Sequence, residues 1–165
     1  MATATYYFNA KSSDWDTNPE NMIDGSVDTD ASTATNDQIQ LLTGNTCDGT
    51  SLGTISKVEL RAYGSISGGA SQLRTTPVFG GSDDGDEHNM DYYVEGWSSY
   101  EDITSDTNAP GTWDWNDIQN LDCKAKAYIN GGTAICAKVE IEVTYTAGSP
   151  PSTTGEQKII NEYYY

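Results

Sequence analysis

One histidine and 25 carboxylates are the groups with which this 165-residue chain would have to do acid–base chemistry. The histidine, His88, lies in the most acidic stretch, where Asp83, Asp84, Asp86, Glu87 and Asp91 surround Gly85. No nucleophile stands beside it, and the run lacks the Asp-x-Asp-x-Asp-Gly order and late Glu of an EF-hand loop. A solvated hairpin tip is the expectation there, because runs of like charge are mostly solvated. The chain has no glycine-rich phosphate loop after a strand, no zinc-protease helix and no nucleophile elbow. With so many carboxylates, no particular pair is singled out for glycoside cleavage. The chain is therefore read as a non-enzymatic protein.

Two further residue sets carry chemistry. Trp113 and Trp115 flank Asp114, and two large rings at that spacing serve either as a sugar-stacking platform or as a core plug. Trp115, Ile118 and Leu121 recur every three residues behind a capping Asp114, which predicts a short helical turn near 114–120 and favours the plug. The three cysteines, Cys47, Cys123 and Cys136, allow at most one intrachain disulfide and lack the paired spacing of a zinc site.

The elements that must position these residues are strands. From Ala134 to Tyr145, Ile135, Ala137, Val139, Ile141, Val143 and Tyr145 alternate with Cys136, Lys138, Glu140, Glu142 and Thr144. That period of two predicts a long half-buried strand needing partners on both edges and a second layer over its apolar face. Ser56 to Tyr63 repeats the pattern, with Lys57, Glu59 and Arg61 on the polar side. Shorter strands are expected at Thr3–Asn9, Gln38–Leu42, Gln72–Phe79 and Asp122–Tyr128, the third at a sheet edge because of Pro77. Residues 1–146 form one domain. Residues 147–155, with Gly148, Pro150, Pro151 and Gly155, read as a linker. Beyond it, 156–165 is a β-prone tail carrying Ile159, Ile160, Tyr163, Tyr164 and Tyr165, able to fold back or to cross to a neighbour.

The formal charge of -17 repels nucleic acid and anionic membrane, leaving cations, glycans and other proteins as partners. Met1 to Phe8 lacks the basic start and apolar middle of a signal peptide, and no apolar run approaches a membrane span.

The segment Asn21, Met22, Ile23, Asp24, Gly25, Ser26, Val27, Asp28, Thr29 resembles the Asp-Gly-x-x-x-Thr loop of discoidin-like, galactose-binding-like β-sandwiches. In that family the loop often wraps a structural calcium and a Glu joins it from the last strand. The resemblance implies calcium, with Asp24, Asp28 and Thr29 as candidate ligands and Glu140 or Glu142 as the strand partner. Calcium takes six to eight oxygens, and these side chains with nearby carbonyls would supply them. An Asp-Gly turn closed by its own hydrogen bonds is the alternative.

A second resemblance spans more of the chain. Tyr6, Tyr7 and Phe8 near the start, the Trp113-Asp114-Trp115 turn, and the closing Val139, Ile141, Val143 and Tyr145 resemble uncharacterised jelly-roll proteins of tailed phages and environmental genomes. It implies an all-β fold, an antiparallel jelly-roll-type sandwich with an extended C-terminal tail. It also implies a structural or adhesive role in a virion; with the linker and the β-prone tail, the expectation is a decoration, tail or filament subunit of a virion or extracellular assembly whose tail contacts other protein subunits. The rival expectation is a calcium-stabilised carbohydrate-binding module that stacks glycans on Trp113 and Trp115.

Overall fold

A computed structural model describes residues 1–68, 71–90 and 94–148. The tail with Ile159, Ile160, Tyr163, Tyr164 and Tyr165, and all of the linker past Gly148, lie outside the described residues.

The fold is the expected antiparallel β-sandwich with one short helix. Its elements in chain order are β1 (Ala2–Tyr7), β2 (Ala31–Thr33), β3 (Gln38–Leu42), β4 (Gly53–Ile66), β5 (Gln72–Phe79), β6 (Asp83–Asp84), β7 (His88–Asn89), β8 (Gly96–Trp97), β9 (Glu101–Asp102), α1 (Trp115–Gln119), β10 (Asp122–Tyr128) and β11 (Ala134–Ala147). A 3-10 turn at Pro19–Ile23 interrupts the long loop after β1. The first sheet runs β1, β11, β4, β8, with β2 also on β11 and β9 on β4. The second runs β3, β10, β5, β6, with β7 also on β5. Between them Phe8, Leu42, Leu60, Leu73, Ile118 and Ile141 are fully buried.

The long strand β11 departs from simple alternation. Its register against β4 shifts between Cys136 and Lys138, so Ala137 is the extra residue of a bulge. Before the bulge Ala134 and Cys136 face the core while Ile135 is half-buried; after it Val139, Ile141 and Val143 take over. The alternation predicted from sequence therefore holds only beyond Ala137, because one inserted residue exchanges the two faces.

Strand β5 is not at an edge as Pro77 suggested; it lies between β10 and the β6 and β7 pieces. β7 opposes Arg74 and Thr75, β6 opposes Val78 and Phe79, and Pro77 falls in the gap, where its missing N–H costs no ladder bond.

The loop before β2 is pinned by buried groups. Trp15 donates its indole N–H to the Ala125 carbonyl at 3.3 Å, and Met22 is fully buried. Buried Gln40 accepts from the Trp15 amide and donates to the Pro19 carbonyl, so its side chain is satisfied on both ends.

Candidate functional site

The outer face of the first sheet carries a network of charges and rings. Register places Arg61 of β4 across from Glu140 of β11, and Tyr7 of β1 on Glu140's other side. Arg61 Nε and Nη2 both donate to Glu140 Oε2, at 3.0 and 2.7 Å, and Lys138 Nζ meets Oε1 at 2.9 Å. The Arg61 guanidinium stacks on Trp97 at 3.9 Å from the ring centroid and lies 4.5 Å from that of Tyr100. Tyr63 packs edge-on against Trp97, and Lys138 lies over Tyr7 at 4.7 Å. This covering leaves Glu140 only 6 % exposed on what would otherwise be a solvent face. Burial pushes the Tyr100 hydroxyl up to about 12, with Glu142 and Glu140 adding to the shift.

Glu142 stands in the next row. It opposes Glu59, which in turn opposes Asp102 of β9. Lys57 relieves the like charges, reaching Glu59 at 2.6 Å and Asp102 at 3.9 Å.

The candidate calcium ligands are not gathered into one coordination group. Asp24 spends one carboxylate oxygen on the Ser26 amide at 2.7 Å and the other on the Thr29 hydroxyl at 2.6 Å. Asp28 is tied at its amide to the Ser26 hydroxyl, and its side chain is solvent-exposed. Gly25, at φ 78°, lies so close to the Tyr7 ring that a Cβ would come within 2.8 Å. Both Glu140 oxygens already hold cationic side chains. Among the described residues no three His, Cys, Asp or Glu side chains converge on a common point.

Trp113 and Trp115 are plugs. They are 8 % and 4 % exposed, which leaves neither ring a face for a sugar. Trp113 Nε1 donates to the Thr104 carbonyl at 2.9 Å and Trp115 Nε1 to the Gly53 carbonyl at 2.7 Å. Trp113 packs edge-on to Phe79; Trp115 does so to Tyr6 and Tyr145. Helix α1, which begins at Trp115, carries a complete capping box between Asp114 and Asp117.

The acidic run was expected to be a solvated hairpin tip; instead β6 and β7 both return along β5, and its described members have partners: Asp84 with Lys124, Asp86 with Thr107, Glu87 with Arg74. His88 Nε2 meets Asp106 at 2.7 Å and Nδ1 comes within 4.0 Å of Glu101, joining the two sheets along that side. All three cysteines are free and buried.

A cleft of about 440 Å³ opens between the Gly80–Gly81 turn and α1, lined by Phe79, Asn116, Asp117, Gln119 and Asp122 with no Lys or Arg. Sequence reasoning missed both this cleft and the Trp97–Arg61 stack. The alternating charges of β4 and β11 were the available signal for Arg61 and Glu140, whereas two-residue strands such as β8 leave no periodicity to read.

Compared with known proteins, the chain matches no family model, no curated protein and no solved structure. Among the described residues no helix is long and apolar enough to cross a membrane.

Proposed function

We propose that this protein is a non-enzymatic assembly subunit, of the kind that decorates a virion or builds a tail or filament, and that residues 156–165 contact a neighbouring subunit. The observation that supports it is the exit of the chain. Strand β11 runs out to Ala147 at the end of the first sheet, opposite Gly53, and hands on to a proline- and glycine-bearing linker followed by Ile159, Ile160 and three consecutive tyrosines. A linker of that composition lets the segment reach beyond its own domain, and its β-branched and aromatic residues suit strand pairing. Removing residues 147–165 is expected to abolish concentration-dependent assembly measured by light scattering and electron microscopy. Unchanged assembly would sink the proposal.

The carbohydrate-binding alternative draws support from the cleft beside α1 rather than from Trp113 and Trp115. It predicts glycan-array signals that vanish on Asn116→Ala with Gln119→Ala, both exposed positions whose loss spares the core. A blank array would remove it.

A further inference from the structure

The sandwich covers its sheet edges unequally. The outer side of β3 is bonded by the chain before it: the Ser12 amide donates to the Leu41 carbonyl at 2.9 Å, and the Thr43 amide to that of Ala10 at 2.9 Å. The outer side of β2 is closed by reciprocal bonds between Thr17 and Ser32 at 3.0 and 3.1 Å. On the opposite side of the sandwich the edge pieces β6, β7, β8 and β9 are two residues each, and His88–Asp106 and Asp86–Thr107 contacts tie them together. Short strands, acidic residues and covering loops are the usual ways an edge is protected from pairing with another chain.

Strand β1 has none of these over most of its length. Its sequence, Ala-Thr-Ala-Thr-Tyr-Tyr, contains no charge and no proline. At its far end Tyr7 turns its N–H to the Thr46 hydroxyl and its carbonyl to the Thr46 amide, so Tyr7's backbone faces away from β11. Phe8 next to it donates toward Val139 of β11. Backbone groups alternate along an antiparallel ladder, so those of Thr5 and Thr3 point outward as Tyr7's do. Among the described residues no strand or bridge pairs with that outer side between Ala2 and Thr5. Among the described residues nothing pairs with the two N–H and two C=O groups of Thr3 and Thr5.

We infer that this open edge, the outward backbone of Thr3 and Thr5, is the docking strand for residues 156–165 of a second copy, which add to it as a further antiparallel strand. The inference rests on the assembly function proposed above and names its receptor. The chain leaves β11 beside this edge, since Tyr145 is opposite Ala2. Pairing within one copy meets a topological obstacle. A segment antiparallel to β1 runs parallel to β11, and joining parallel strands takes a crossover of about a dozen residues or more, whereas the linker is 147–155. Running the other way would create a parallel pair in a protein whose described strand pairs are all antiparallel. A second copy meets neither restriction.

The test uses the full-length chain. Sedimentation velocity over a concentration series compares the wild type with Thr5→Pro, Thr5→Val and a chain ending at Gly148, while hydrogen exchange follows the Thr3 and Thr5 amides. Thr5→Pro deletes one outward donor and no bond to β11, and edge strands tolerate proline. Assembly is expected to be lost in Thr5→Pro and in the truncated chain and kept in Thr5→Val, and both amides should exchange at least about tenfold more slowly in the wild-type assembly than in dilute monomer. Should Thr5→Pro fail to fold, the wild-type exchange rates decide alone. Loss of assembly on truncation with unprotected Thr3 and Thr5 amides would overturn the edge as receptor and leave the tail-mediated assembly standing. Amides already protected in the monomer would show pairing within one copy and overturn the inference. Assembly indifferent to truncation would remove both.

Discussion

Arg61 binds Glu140 through two nitrogens on one carboxylate oxygen while its guanidinium plane lies on Trp97. A planar fork satisfies both demands at once, and an ammonium does not. Arg61→Lys is therefore expected to destabilise the fold despite keeping the charge. Glu140→Gln, which leaves Arg61 and Lys138 short of a counter-charge at a mostly buried position, should cost about 3 kcal/mol. Urea denaturation of both single variants and the double variant measures this, and a coupling below about 0.5 kcal/mol would show that the pair acts independently.

The Asp24 loop is closed by its own side chains, and the expected result of adding calcium or a chelator is an unchanged melting temperature. Any ligand that binds only the native state raises stability, so a calcium-dependent shift would restore the metal. Asp24→Ala should cost about 1 kcal/mol with or without calcium, because it removes the partners of the Ser26 amide and the Thr29 hydroxyl.

Among the described residues, Thr75 buries a hydroxyl without a hydrogen-bond partner. Valine keeps its shape and β-branch and removes the unsatisfied group. Thr75→Val is expected to stabilise the protein by about 1 kcal/mol in thermal or denaturant unfolding. A loss of that size would mean the hydroxyl is satisfied in solution.

Burial pushes the Cys136 thiol up to about 12 and raises that of Cys123 further. An unfolded thiol loses its proton near pH 9, so above that pH the unfolded chain binds fewer protons than the native one and stability falls as pH climbs toward the native values. Unfolding free energies from denaturant titrations should fall between about pH 9 and 12, more steeply in the wild type than in Cys136→Ala, by about 1 kcal/mol per pH unit for that thiol. Equal slopes would show that Cys136 does not contribute.

Much of the fold was legible because period-two patterns survive in long strands. Gln38–Leu42, Gln72–Phe79 and Asp122–Tyr128 coincide with their predicted bounds, and Asp114 caps the short helix as its position implied. The bulge at Ala137 was not legible, since Ile135 and Ala137 continue an apolar alternation that the backbone interrupts. Pro77 misled for a related reason: its effect depends on which neighbour is absent at that one register position. At the site, residue types were easier to read than pairings. Glu140 was picked out as an acid near the Asp24 loop, yet its partners, Arg61 and Lys138, follow from strand order. The two tryptophans are plugs as their surroundings in sequence imply, because a large ring with one polar atom finds a carbonyl inside more readily than a sugar outside.

In the docking inferred above, one open edge and one β-prone segment per copy would make a directional contact. The surface a subunit would offer differs from the surface it would use, so two copies close on each other only by exchanging both tails about a two-fold axis. Each added copy brings a fresh acceptor, and growth stops only if the rotation from one copy to the next closes a ring. The bare backbone of Thr3 and Thr5 would then determine the polarity of the assembly as well as its adhesion, with one end always presenting an unfilled strand and the other an unused tail.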